Sequence, residues 1–212
     1  MIMKINLPPI TSQNSGALFE RYRITERDVS LCVVVNEFEE CGLLIKDGLV
    51  ADTIQGGKRA VFAKDEIKRG NVALAEAVFI SKKAKIQLVW GTPAPAEYTD
   101  PVTGQPVRVG FNGTVGIQVA NPRKFYAEIV GRETVFDRDA LRARILPRLL
   151  SFIRSAAADY MSDNKLSYSQ TERHLERMTE AIKPKLTKIF TEEYGLAAPE
   201  LTIDGVALSH NM

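Results

Sequence analysis

Histidine and cysteine are scarce in this sequence, each occurring twice. Cys32 and Cys41 are too few for a disulfide framework, and neither has a partner at the spacing of a zinc site or a redox motif. Both sit in apolar, strand-like stretches and read as buried free thiols. His174 lies in a charged helical stretch and His210 near the end of the sequence. Neither has a second ligand at metal spacing, so both read as surface imidazoles. No metal and no cofactor is therefore expected.

Charge of one sign is also missing. Lys and Arg number 28 against 26 Asp and Glu, a formal net charge of +2, which is too balanced to point to nucleic acid. Long apolar runs are absent: "LCVVV" and "GLLI" are strand-sized, and "MIMKINLPPITSQNSG" at the start lacks the apolar stretch of a signal peptide. A soluble chain made in the cytoplasm is expected.

Phosphate-binding loops are missing as well. "GGKRA" has no first Gly five positions before Gly57 and no Ser or Thr after Lys58. "GFNGTVG" lacks dinucleotide-fingerprint spacing and runs on into a β pattern instead of opening a helix. Glu37, Glu39 and Glu40 follow a strand in a turn-like cluster and read as solvated surface. With no catalytic constellation, the chain is not expected to be an enzyme. No small-molecule substrate is expected either.

What is present is a β-rich first part and a helical second part. In "QPVRVGFNGTVGIQV", Asn112-Gly113 is a hairpin signal, yet Val107, Val109, Phe111, Val115, Ile117 and Val119 all keep odd parity across it. A two-residue hairpin would swap the apolar set between faces, so one long strand is expected, with its glycines marking bends, bulges or close backbone approaches. Asp47-Gly48 and Gly56-Gly57 have the spacing of hairpin turns.

Asn121-Pro122 predicts a helix start and Gly131 its end. In "DRDALRARILPRLLSFIRSAAADYM" the stripe Leu141, Ile145, Leu149, Phe152 predicts a second helix, bent at Pro147. Ser169-Gln170-Thr171-Glu172 reads as a capping box opening a third helix. That helix carries Leu175, Met178, Ile182, Leu186 and Ile189 on one face, bends at Pro184 and stops at Gly195. "PELTIDGVALS" reads as a last strand. The expected fold class is α+β, a curved mostly antiparallel sheet packed with about three helices and a C-terminal strand. The expected organisation is an N-terminal extension over 1–24 and one domain over 25–209, β-rich at 28–120, helical at 121–195, with a final strand at 198–209.

Contact residues are harder to read. Trp90 opens the proline-rich loop "WGTPAPAEYTDPVTGQP" and is expected either to close the end of a sheet core, its ordinary fate, or to anchor a partner together with Pro93 and Pro95. Arg138, Arg142, Arg144, Arg148 and Arg154 spread over more than half the helix circumference, with Asp137 and Asp139 among them, and read as a solvated face. Arg144 and Arg148 are the candidates within that set for meeting a partner.

The order of motifs resembles the SPFH superfamily (stomatin, prohibitin, flotillin; band-7), and within it a bacterial branch described as virion-core-protein-like. The resemblance covers roughly residues 25 to 209. It rests on the turns at Asp47-Gly48 and Gly56-Gly57, on Trp90-Gly91-Thr92, and on Asp100-Pro101. It continues through the Pro106-Val107 strand with Gly113-Thr114 into a Pro-Arg-Lys-Phe helix start, and ends in "FTEEYGLAAPELTIDGVALS". The usual Gly-Pro-Gly turn is Gln55-Gly56-Gly57 here, without its proline. The resemblance implies a non-enzymatic scaffold peripheral to a membrane, assembling with itself or with a membrane-bound protein. Relatives carry membrane segments, coiled coils or zinc-binding tails that this sequence does not show, so direct insertion and ring formation by this chain alone are not expected. A phage or virion structural protein, an enzyme with an unrecognised site and a nucleic-acid binder are the alternative readings.

Overall fold

The apolar odd-numbered residues from Val107 to Val119 do form one strand. In the computed structural model, which describes residues 10–11, 18–24, 32–36, 38–60, 74–131 and 138–209, Pro106–Val119 is a continuous 14-residue strand. Val107, Val109, Phe111, Val115, Ile117 and Val119 are all buried. Gly113 makes this pairing fit, because a Cβ there would run into the Thr202 carbonyl and come within 2.8 Å of Trp90 Cζ2.

The chain divides into two units, one drawn from Met1–Ala84 and Val119–Thr134, the other from Lys85–Gln118 and Val135–Met212. The first unit holds strands β1 (Phe19–Ile24), β2 (Cys32–Val35), β3 (Glu40–Lys46), β4 (Leu49–Ile54), β5 (Gly57–Ala60) and β6 (Ala75–Ser81). Four of them form an antiparallel sheet in the order β1-β6-β3-β4, and β2 pairs with β5 in a separate two-stranded ribbon. Residues 19–24, assigned to an N-terminal extension by sequence, thus pair along their length with β6. Asp47 and Gly48 take positive φ values of 50° and 78°, forming the expected tight hairpin turn between β3 and β4. The turn at Gly56-Gly57 does not close a hairpin: β5 leaves β4 and pairs with β2 instead. Leu44, Ile54, Ala75, Ala77 and Phe79 of the larger sheet share a buried cluster with Val33 and Val35 of β2. That apolar contact, which turn chemistry alone does not encode, accounts for the switch.

Asn121 caps helix α1 (Pro122–Phe125), its side chain accepting from Lys124 N at 3.1 Å, with Pro122 at the first position. The helix widens into a π-helical turn over Tyr126–Val130 and ends at Gly131, φ 53°. Arg21 of β1 reaches this turn. It donates to the Gly131 carbonyl at 3.1 Å, lies 6.0 Å from the Tyr126 ring centroid and pairs with Glu76 at 3.5 Å.

The second unit holds β7 (Ile86–Gly91), β8 (Ala96–Thr99), β9 (Pro106–Val119), α2 (Arg138–Asp163), a 3₁₀ turn (Tyr168–Gln170), α3 (Thr171–Tyr194) and β10 (Leu196–Ser209). The sheet order is β10-β9-β7, with β8 also pairing β9. The single sheet expected from sequence is therefore two antiparallel sheets and a ribbon, within the α+β class that was expected.

In α2 the buried stripe is Leu141, Ile145, Leu149, Ile153, Ala156, Ala157 and Met161. Ile153 occupies the position expected for Phe152, which is half-buried. In α3 the stripe is Met178, Ile182, Leu186 and Phe190, with Leu175 and Ile189 half-buried on its flanks. The capping box does not form. Ser167 instead caps the 3₁₀ turn, and Thr171 Oγ1, fully buried, donates to the Tyr168 carbonyl at 2.7 Å. Gly195, φ 69°, ends α3 as expected. The hydroxyls of Thr187 and Thr191 then donate to the carbonyls of Ala198 and Leu196 at 3.0 and 2.9 Å, laying β10 back along the helix. Pro147 and Pro184 both lie inside their helices on exposed positions.

Candidate interaction surfaces

The proline-rich loop is held at both ends. Trp90, at the end of β7, is 1% exposed and faces Gly113 across the strand pair. It closes the sheet core. Thr92 N donates to the Phe111 carbonyl at 2.9 Å, and Phe111 N donates to Thr92 Oγ1 at 3.0 Å. Pro93, Ala94 and Pro95 follow on the surface, all exposed, before β8 rejoins β9.

The far end is pinned by Asp100, which is 5% exposed. Its Oδ1 accepts from Val102 N and Thr103 N at 2.9 Å each, closing its own turn. Its Oδ2 accepts from Ser167 Oγ at 2.7 Å and Tyr168 N at 2.8 Å. Burial disfavours the charged carboxylate, but these four donors outweigh it and hold the pKa at about 2. The Tyr168 ring lies 5.2 Å from that of Tyr98 in β8. Burial, together with the neighbouring Tyr98 and Asp100, pushes the Tyr168 phenol far above its usual range. "DPVTG" was informative here only as a family motif. Its Asp at a turn start, with Gly104 at φ 68°, signals the turn but not the second pair of donors.

Arg144 is exposed on α2. Arg148 joins α2 to α3: its Nε donates to both carboxylate oxygens of Glu193, at 3.1 and 2.8 Å, while Nη2 reaches Oε1. The Arg148 hydrogen bond lowers the Glu193 pKa, and the same bond raises that of Arg148. Arg138 donates to the Gln87 carbonyl, and Arg142 and Arg154 are exposed.

The residues considered for chemistry do not converge. Cys41 is a fully buried free thiol whose pKa is pushed up by burial. The Cys32 side chain, the Lys58 side chain, Glu37 and His210 lie outside the described residues. His174 is half-buried, with Nδ1 lacking a hydrogen-bond partner among the described residues. Among the described residues no group of three or more His, Cys, Asp or Glu is placed to hold a metal ion. No described helix is long and apolar enough to cross a membrane.

Two antiparallel sheets, helices segregated to the second half of the chain and a returning final strand define an α+β fold. The model of the SPFH domain-Band 7 family matches residues 71–212, and the chain belongs to that family. Its members are generally non-enzymatic, and they typically oligomerise and associate with membranes. No curated protein matches the chain.

Proposed function

We propose that this chain is a non-enzymatic scaffold module of the virion-core-protein-like branch, peripheral to the cytoplasmic face of a membrane, where it assembles with copies of itself or with membrane-bound partners. The observation that carries this reading is the family match over residues 71–212. The loop geometry supports it. Pro93 and Pro95 are exposed on a segment whose two ends are fixed by Thr92 and Asp100, so a partner binding there orders little new backbone. Arg144 adds a cationic contact on α2. Trp90 supports the loop from within the core.

Fractionation of cells producing the chain tests the reading. The protein is expected to sediment with membranes at low salt and to be released by high salt or alkaline wash, as a peripheral protein is. Recovery wholly in the soluble fraction at low salt would overturn the membrane-peripheral assignment.

A further inference from the structure

Over its first three turns helix α3 sorts its exposed charges into two rows, with Lys183, also exposed, following Glu180 on the glutamate side. Glu172, Glu176 and Glu180 recur every four residues, and Arg173 and Arg177 form the adjacent row; all five are exposed. At about 100° per residue, the line between the rows points away from the stripe of Thr171, Met178 and Ile182 that faces the core. Along each row like charges four apart destabilise the helix, while across the rows Arg173 and Glu176, and Arg177 and Glu180, stand three apart with opposite signs and offset that cost. None of the five forms an ion pair or a side-chain hydrogen bond among the described residues. Two rows of opposite sign, side by side and facing outward, therefore make no direct ion pair among the described residues and present a self-complementary pattern of charge.

We propose that this face pairs with α3 of a second copy, the two helices running parallel about a two-fold axis along their length. That operation sets the glutamate row of each helix against the arginine row of the other. Glu172 then lies level with Arg173 of the second copy, and Glu176 with Arg177, each contact occurring twice. An antiparallel pair would set like rows together and is excluded by repulsion. Because Glu180, and no apolar side chain, sits on the line between the rows, the association is weak and salt-labile. Weak contacts suffice for chains concentrated on one membrane surface, where effective concentration is high. The inference deepens the scaffold reading and rests on it.

Light scattering and sedimentation equilibrium at low salt test it with two charge-reversed variants, Glu176→Arg with Glu180→Arg, and Arg173→Glu with Arg177→Glu. Each alone is expected to self-associate at least about tenfold more weakly than the unaltered chain, and an equimolar mixture to associate more tightly than either. A chain carrying both reversals is expected to regain the original affinity. Thermal melts of the variants identify any loss through misfolding. If the reversed variants assemble as the unaltered chain does, the α3 contact is wrong while the scaffold reading stands. If the mixture shows no association beyond that of its components, the α3 contact is also wrong, and membrane fractionation alone decides the scaffold reading.

Discussion

Gln87 on β7 donates a hydrogen bond to Glu200 on β10 across the intervening strand β9. The two side chains meet because Gly116 lies between them: a Cβ there would stand 3.0 Å from Glu200 Cβ and 3.1 Å from Gln87 Nε2. Lys85 completes the bridge with an ion pair to Glu200 at 2.8 Å. The Lys85 hydrogen bond first, and then that of Gln87, lowers the Glu200 pKa. Its titration, followed by NMR, is expected to lie below the ordinary glutamate range and to rise in Lys85→Met. A depressed folded pKa means that any stabilisation is present above the unfolded value and is lost on acidification. No rise in Lys85→Met would show that the bridge does not form in solution.

Gly113→Ala is expected to cost at least about 3 kcal/mol, because the added methyl meets the Thr202 carbonyl and the Trp90 ring, neither of which can turn aside. Trp90, the only tryptophan, reports the outcome directly, since its burial gives blue-shifted emission in the folded chain. Unfolding followed by that fluorescence should show a lower denaturant midpoint in the variant. An unchanged midpoint would mean that β9 and β10 are not in the described relation.

Asp100→Asn should destabilise the second unit by about 2 kcal/mol at neutral pH, since an amide cannot accept all four donors that meet the carboxylate. The pH profile supplies the control. With a folded pKa of about 2 against 3.8 for an ordinary aspartate, the stabilisation is full above about pH 5 and is lost as pH falls through both values. The difference between parent and variant should therefore shrink on acidification. A difference independent of pH would assign the effect to packing.

Arg148→Ala should cost less than about 1 kcal/mol despite its two-pronged contact, because Arg148 and Glu193 are 39% and 36% exposed at their side chains and solvent screens the pair. The loss should diminish further in high salt. Chemical denaturation of the parent and variant at two salt concentrations gives both numbers.

Local rules were strongest where one residue decides one geometry. Parity alone identified β9 as one strand against the Asn112-Gly113 hairpin signal, and the caps follow from the Asn121 side chain and from the lack of a Cβ at Gly195. The partner of β5 was not legible, because turn chemistry at Gly56-Gly57 does not say which strand the chain will meet next. The same holds for Ile153 in place of Phe152: the apolar stripe drifts by a residue over a long helix, and tertiary packing selects the side that is buried. Asp100 was visible only as part of a turn. Its donors from Ser167 and Tyr168 lie more than sixty positions away in sequence, beyond any local pattern.

Absolute mass measured by light scattering across a concentration series at low salt tests the central claim most directly. A scaffold that assembles through its own surfaces should gain mass as concentration rises and lose it again when salt is added. A monomer at every concentration and salt would contradict autonomous assembly and leave recruitment by a membrane-bound partner as the only form of the account still standing.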